Sequence, residues 1–200
     1  MSAKTDFLAG YPQFQGPGAG QPIDPQKSVS FSGYRPEKFG FPFSPGHAAY
    51  HRILQDLDQA ILFAVMHGKD TFLCGMAQGF DTACGMAVLR AKKSTGLPLR
   101  LVCVLPYAGQ SSCWAAQGQA DFDHLCQNAW QRVVLSPRYY TGCLHVRNRY
   151  LISHSSLLIC YYSGKKGGTA YTVGLAKKHG LAVENLFLPA DEGAVQQTLY

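Results

Sequence analysis

The run Ser163–Thr169 (SGKKGGT) contains the residue types with which a loop holds an anion. It lies between an apolar segment typical of a strand and a segment typical of a helix. Gly167 and Gly168 would let a ligand approach the backbone, and free amides at a helix start favour phosphate, to which the Thr169 hydroxyl could add a hydrogen bond. The run lacks the spacing of a P-loop. The alternative is an ordinary glycine turn whose two lysines are solvated.

A second glycine-bearing turn, Cys74–Asp81 (CGMAQGFD), also joins a predicted strand to a predicted helix. Gly75 and Gly79 bracket the turn, and Asp81 falls in the first turn of the helix. A carboxylate there would bind ribose hydroxyls or position a water molecule, or it would only stabilise the helix dipole, typically by about 0.3–1 kcal/mol. Asp81 is therefore the candidate catalytic residue. Because the turn lacks the G-x-G-x-x-G fingerprint, a standard NAD site is not predicted.

Three other loops carry polar or aromatic side chains close to predicted strands. Arg35 follows the first strand and could clamp a phosphate through two hydrogen bonds. Tyr107 could stack on a base, and Arg147 could point at the anion site. Taken singly, each also fits a structural or surface role. The full set of predicted ligand-binding residues is Gly33, Tyr34, Arg35, Gly75, Gln78, Gly79, Asp81, Pro106, Tyr107, Arg147, Asn148, Gly164, Gly167, Gly168 and Thr169.

Metal and disulfide chemistry find little support in the sequence. His47 and His51 are four residues apart, as on one helix face, but no third ligand accompanies them, so no metal site is predicted. The chain has seven cysteines, an odd number, without a C-x-x-C pair. We therefore expect a reducing compartment and no disulfide framework.

The elements that must position these residues follow a regular order. From residue 28, strand and helix patterns alternate five times, and a final strand closes the series. The first helix has Ser44 as its predicted N-cap and ends at Gly68. The order predicts an α/β fold, a Rossmann-like and mostly parallel sheet with helices on both faces, in three layers. Ligands of such sheets lie outside the carboxyl ends of the strands, where the strand order reverses.

Composition bounds the domain organisation and the partners. Residues 1–27 are rich in Gly, Pro and Gln and predict a flexible tail, whereas residues 28–200 are expected to form one nucleotide-binding domain. The apolar runs are far shorter than the roughly 20 residues that cross a bilayer, and no secretory signal is evident, so we expect a cytoplasmic protein with no membrane partner. The net charge of +6 comes from scattered basic residues, so nucleic acid is not expected as a partner.

The set of motifs resembles the YpsA-like branch of the SLOG superfamily, which also includes DprA-type DNA-processing proteins and the Lonely Guy phosphoribohydrolases. The similar segments are S-G-Y-R-P after the first strand, C-G-M-A-Q-G-F-D at the second, P-Y after the third, R-N before the fifth and G-G-T after it. The resemblance spans about residues 28–188. It implies a Rossmann-like fold, a pocket for a nucleotide-derived ligand and association into homo-oligomers.

Two positions depart from the related families and bear on function. Thr172 stands where the Lonely Guy enzymes carry the glutamate that serves hydrolysis, and Asp81 stands where YpsA-like proteins often have Glu. We therefore expect binding or sensing of a nucleotide-derived, phosphate-bearing small molecule, with no other cofactor. The alternative is a hydrolase that cleaves an N-glycosidic or phosphate bond of a nucleotide, with Asp81 activating water. Nucleic-acid binding comes third.

Overall fold

The computed structural model describes residues 10–193 of the 200-residue chain. Its strands are β1 (Gln13–Gln15), β2 (Ser28–Ser32), β3 (Thr71–Cys74), β4 (Arg100–Leu105), β5 (Gln131–Val134), β6 (Leu157–Cys160) and β7 (Ala182–Asn185). Its helices are α1 (Ala48–Met66), α2 (Phe80–Thr95), α3 (Ala116–Asn128), α4 (Cys143–Ser153), α5 (Gly168–Lys178) and α6 (Ala190–Gly193). Within this range, no helix has the length and apolar character that a membrane span requires.

The seven strands form one sheet in the order β1-β5-β4-β3-β2-β6-β7. β1 is antiparallel to β5, and all other neighbours pair in parallel. The chain runs outward from β2 to β5 and then returns to place β6 on the other side of β2. The strand order therefore reverses between β2 and β6, where a crevice opens at their carboxyl ends. The predicted fold class is confirmed.

The helices lie in two layers, one on each face of the sheet. Helices α1, α2 and α3 cover one face, where Phe31 and Phe72 of the sheet pack with Leu57 of α1. Helices α4 and α5 cover the other face and bury Leu151 and Val173 against the strands. The central strands are thus buried on both faces, which explains their continuous apolar sequences.

Residues 10–27 differ from the predicted flexible tail, because they pack along an edge of the sheet. Strand β1 pairs with β5, and the Gly18 amide donates to the Trp130 carbonyl at 2.8 Å. The Gln131 side-chain amide in turn donates to the Gly18 carbonyl at 2.8 Å. Backbone hydrogen bonds dock a segment that has few apolar residues, and composition alone does not reveal such pairing. Residues 1–9 of the predicted tail, and residues 194–200, lie outside the described range.

The start of α1 also differs from the prediction. The helix begins at Ala48, with His47 rather than Ser44 as its N-cap, and the His47 ring accepts a hydrogen bond from the Ala49 amide at 3.2 Å. The same ring stacks on Phe41 at 4.8 Å between centroids, which holds His47 in an extended conformation. Sequence rules favour Ser as a cap, but an aromatic contact decides the position here.

Candidate functional site

Two adjoining cavities open at the carboxyl ends of the strands around the point of reversal. The switch-point cavity, of about 290 Å³, is lined among others by Gly33, Arg35, Lys38, Asp81, Arg147, Asn148, Gly168 and Thr169. The aromatic cavity, of about 330 Å³, is lined among others by Arg35, Gln78, Tyr107, Gln110, Trp114, Tyr139 and Arg147. Arg35, Ala77, Leu144 and Arg147 line both, so the two cavities form one cleft.

The start of α5 faces the switch-point cavity through Gly168 and Thr169. Gly167, just before the helix, has a φ of 151°, which glycine adopts without strain. A side chain added at Gly168 would meet nothing within 4 Å, so the helix start is open. The intrahelical ladder begins with the Tyr171 amide, which donates to the Gly167 carbonyl. The preceding amides therefore offer donors at the positive end of the helix dipole.

The hydroxyls of the two threonines in α5 already have acceptors within the fold. Thr169 donates to the Gly33 carbonyl at 3.0 Å, which ties the start of α5 to the end of β2. Thr172 donates to the Gly168 carbonyl at 3.0 Å and is fully buried. The Thr169 hydroxyl therefore positions the helix start instead of offering its proton to a ligand, and Thr172 brings no chemical group to the cavity.

A buried ion pair lies beside the junction of the two cavities, since Arg147 lines both and Asp81 lines the switch-point cavity. Arg147 and Asp81 have side chains only 10% and 7% exposed, and Arg147 Nη1 lies 3.7 Å from Asp81 Oδ2. Arg147 also donates to the Gly75 carbonyl and, from Nε at 2.8 Å, to Asn148 Oδ1. The Ala77 amide donates to Asp81 Oδ2 at 3.3 Å. The pair is therefore fixed in place by neutral partners on both sides.

Gly75 makes room for this ion pair. A Cβ at that position would lie 2.5 Å from Arg147 Nη1 and 2.9 Å from Asp81 Oδ2. Both atoms would have to move, since real Cβ contacts are never so short. Gly75, which was predicted to bind a ligand, thus leaves space for the side chain of Arg147.

Burial perturbs the ionisation of both members of the pair. It raises the pKa of Asp81 above its ordinary value, while Arg147 and the backbone amides of Ala77 and Gly33 act in the opposite direction. Burial also lowers the pKa of Arg147, and the Asp81 carboxylate opposes that shift. Perturbed ionisation in a cavity is a feature of functional sites, although structural ion pairs share it.

Aromatic rings and amide side chains line the second cavity. Tyr107 and Tyr139 meet edge to face, with ring centroids 5.6 Å apart, and Trp114 lies on the same lining. Gln110 is buried, and its Nε2 donates to the Met76 carbonyl. Its Oε1 is buried as well and has no hydrogen-bond partner in the described part of the chain. The cavity thus combines flat rings with an unpaired acceptor.

Two exposed cations stand at the mouth of the cleft. Arg35 lines both cavities, and Lys38 lines the switch-point cavity. The Lys38 ammonium lies 3.2 Å from where a Cβ of Gly167 would be. Both cations belong to the loop after β2, so they face the start of α5 across the crevice and make its field positive.

Six of the predicted site residues line neither cavity, and four of these have a visible structural task. The Tyr34 hydroxyl is hydrogen-bonded to Ser163 Oγ at 2.7 Å and accepts a hydrogen bond from the Ser163 amide at 3.0 Å, so Tyr34 anchors the loop after β6. Gly79 precedes α2 with a φ of 88°. Gly75 leaves space for the ion pair, and Gly167 precedes α5 with a positive φ. Pro106 and Gly164 are the other two predicted residues that line neither cavity.

Sequence reasoning missed several lining residues, because their loops show no regular spacing. Lys38, Gln110, Trp114, Tyr139 and His145 line the cleft and were not predicted to do so. Gln110 and Tyr139 could have been predicted, because they lie in the loops after β4 and β5 and ligands of such sheets bind at the carboxyl ends of strands. No sequence signal distinguishes Lys38 or His145 from solvated residues.

His47 and His51 do not face a common ligand position. His47 caps α1, and the His51 ring bonds the Pro45 carbonyl at 2.6 Å. Over the described residues, no group of three or more His, Cys, Asp or Glu side chains is arranged to hold a metal ion.

Comparison with known proteins identifies the family to which the chain belongs. The sequence model of a family described as the YspA SLOG family (YpsA) matches residues 29–185. The chain belongs to this YpsA family. The resemblance seen in the sequence is therefore confirmed, and the YpsA-family match runs from the second residue of β2 to the end of β7. No curated protein matches the chain.

Solved DprA structures share the fold of this YpsA-family chain. DNA processing protein A of Streptococcus pneumoniae matches with a TM-score of 0.55 and 18% identity, over 80% of this chain and 50% of that one. The Helicobacter pylori protein matches with a TM-score of 0.54 and 17% identity, over 81% of this chain and 65% of that one. The YpsA-family chain thus spans between half and two thirds of those chains.

One expectation about partners is wrong on this comparison. The sequence, through its scattered charges, argued against nucleic acid as a partner. The Helicobacter pylori structure, however, is described by its single-stranded DNA binding mode, and it carries the fold that this YpsA-family chain shares. A mild net charge therefore does not exclude nucleic acid as a partner for a chain of this fold.

Proposed function

We propose that the cleft binds a nucleotide-derived, phosphate-bearing small molecule, with its phosphate at the start of α5 and its base in the aromatic cavity. The open helix start beside Arg35 and Lys38 carries the proposal. Free amides, a helix dipole and two cations converge there on one small cavity. The adjoining Tyr107 and Tyr139 rings provide a surface on which a base can stack.

Binding without hydrolysis is the favoured form of the proposal. Asp81 is the one carboxylate among the described residues that line the cleft, and it is held by Arg147. Glycoside hydrolysis usually employs two carboxyl groups. Thr172 replaces the glutamate of the related hydrolases and is bonded to the Gly168 carbonyl. The raised pKa of Asp81 keeps the hydrolase alternative open, and release of free base during incubation with a bound nucleotide would establish it.

Thermal shift against a panel of ligands tests the proposal. The panel contains inorganic phosphate, AMP, ADP, ADP-ribose, NAD and cyclic nucleotides. A ligand present at 100 times its Kd stabilises the native state by about 2.7 kcal/mol. We expect at least one nucleotide to raise the Tm of the wild type and to leave Gly168→Trp unchanged, because the indole would fill the open helix start.

Arg35→Ala and Arg149→Ala form a matched pair. Both arginines are exposed, but Arg149 lies on α4 and lines neither cavity. The shift should shrink in Arg35→Ala and persist in Arg149→Ala. Equal shifts in all four proteins would place the ligand elsewhere, and the absence of any shift in the wild type would refute nucleotide binding.

Single-stranded nucleic acid is the second candidate ligand. The observation that favours it is the continuity of the cleft, in which cations at one end adjoin aromatic rings at the other. Stacking on aromatic side chains and backbone contacts to cations are the usual means of binding single strands. An oligonucleotide that binds more tightly than any mononucleotide, with affinity falling steeply as salt increases, would favour this candidate.

A further inference from the structure

Gln110 is a buried polar side chain on the wall of the aromatic cavity. It is 9% exposed and lies in the loop that follows β4. Its Nε2 donates to the Met76 carbonyl, whereas its Oε1 is buried and has no hydrogen-bond partner within residues 10–193. Buried acceptors are normally paired, so this oxygen is an exception in the wall of a cavity.

The Met76 carbonyl fixes which end of the Gln110 amide is left unpaired. Turning the amide over would place Oε1 against the carbonyl oxygen, so that two acceptors met and Nε2 lost its partner. Met76 is itself buried and has a φ of 59°, a conformation that few residues other than glycine adopt. Its carbonyl is therefore set by the surrounding fold, and Gln110 holds its acceptor in one orientation.

The loop that carries Gln110 is attached to the elements on both sides of it. The Ala108 amide donates to the Ser136 carbonyl at 3.0 Å, which joins the loop to the one after β5. The Trp114 carbonyl accepts a hydrogen bond from Gln119 Nε2 at 3.0 Å, which joins the loop to α3. A polar group discriminates between ligands when it cannot move to suit each of them. Gln110 meets this condition.

Gln78 lines the same cavity but is not fixed in this way. Its side chain is partly exposed, and no hydrogen bond within the described part of the chain orients its amide. Gly118 of α3 leaves space for it, since a Cβ there would lie 2.5 Å from Gln78 Nε2. Because a free amide can turn to present its donor or its acceptor, Gln78 can contact a base without selecting among bases.

We propose that Gln110 selects a nucleotide whose base carries an exocyclic amino group. This selection rests on the proposed function, which places the base in the aromatic cavity beside Tyr107 and Tyr139. The amino group of the base donates to Gln110 Oε1. Adenine, cytosine and guanine each carry such a donor, whereas a keto oxygen or a ring C–H at the same position does not provide one. A base without the donor leaves the buried acceptor unpaired, which is unfavourable.

Three pairs of nucleotides test the selection, because the members of each pair differ only in an amino group replaced by hydrogen. The pairs are AMP with purine ribonucleoside 5′-monophosphate, GMP with IMP, and CMP with the 5′-monophosphate of 2-pyrimidinone ribonucleoside. Titration calorimetry on the full-length chain gives the Kd of each. We expect the wild type to bind the amino-bearing member of at least one pair roughly tenfold more tightly. The pair that discriminates identifies the base.

Two glutamine variants separate the fixed amide from the free one. Methionine has about the length of glutamine but no amide. Gln110→Met should bind both members of the discriminating pair equally, whereas Gln78→Met should keep the preference. Gln55→Met is the control, because Gln55 is exposed on α1 and lines neither cavity. The comparison within the wild type does not depend on the folding of any variant.

The outcomes distinguish this selection from nucleotide binding itself. Equal affinities within all three pairs, in a wild type that binds them, would overturn the selection and leave the proposed function in place. A preference that survives in Gln110→Met would assign the selection to another group. If none of the six nucleotides binds, the proposed function is refuted, and the selection is refuted with it.

Discussion

Arg147 and Asp81 link the stability of the protein to the shape of its cleft. Each side chain is buried, and each has the other as its charged partner. Desolvating two ions is unfavourable unless they are paired and hydrogen-bonded, so neither residue tolerates loss of the other. Arg147 lines both cavities and Asp81 lines the switch-point cavity, so the geometry of the pair is part of the proposed binding site.

Arg147→Met should destabilise the fold by about 3–5 kcal/mol, because it leaves the Asp81 carboxylate buried without its cation. The double variant Arg147→Met/Asp81→Asn should regain much of that loss, since no unpaired charge remains. Urea unfolding of both single variants and the double variant measures this coupling. Arg149→Met on the exposed side of α4 is the control and should differ little from the wild type. Additive effects would contradict a buried pair.

The loss of stability in Arg147→Met should also depend on pH. Burial holds the pKa of Asp81 above its ordinary value, and Arg147 is the largest influence in the opposite direction. Without Arg147 this pKa rises further, so the folded state binds a proton that the unfolded state has released. Stability then falls as pH rises through the folded pKa. We expect a larger loss at about pH 8 than at about pH 5, and unfolding curves that show no such trend would contradict the assignment.

At the scale of elements, regular patterns were predictable and contacts between distant segments were not. The sequence placed Asp81 in the first turn of a helix after a glycine-bearing turn, and α2 does begin at Phe80, because such start signals are local. Strand β1 was missed because the three residues Gln13–Gln15 are too few to show a strand pattern, and the pairing with β5 depends on residues far along the chain. The cap of α1 was missed for a different reason, because capping rules consider side-chain hydrogen bonding and not a ring contact such as that between His47 and Phe41.

Gly18 tests the docking of the N-terminal segment. A Cβ at Gly18 would lie 2.2 Å from a ring atom of Trp130, so Gly18→Ala must displace the indole or the segment. We expect a loss of about 1–3 kcal/mol in the free energy of unfolding, as for other overpacked sites. Gly46→Ala is the matched control, because that position is open to solvent. Equal Tm values for the two variants would mean that residues 10–27 contribute little to stability.

At the scale of the whole molecule, the reversal of strand order between β2 and β6 determines where a ligand can bind. The sequence predicts this position from the alternation of strands and helices and from the glycines after β6, and the cleft lies there. Which side chains complete the lining was less predictable, because Lys38 and Gln110 come from irregular loops. Association into homo-oligomers stays a prediction of the resemblance.

The most direct test of the proposed function is a crystal structure with the nucleotide that gives the largest thermal shift. We predict phosphate oxygens within hydrogen-bonding distance of the backbone amides of Gly168 and Thr169, and a base against Tyr107 or Tyr139. Density for the nucleotide at another place, such as the cavity between α1, α2 and α3, with the start of α5 empty, would contradict the account.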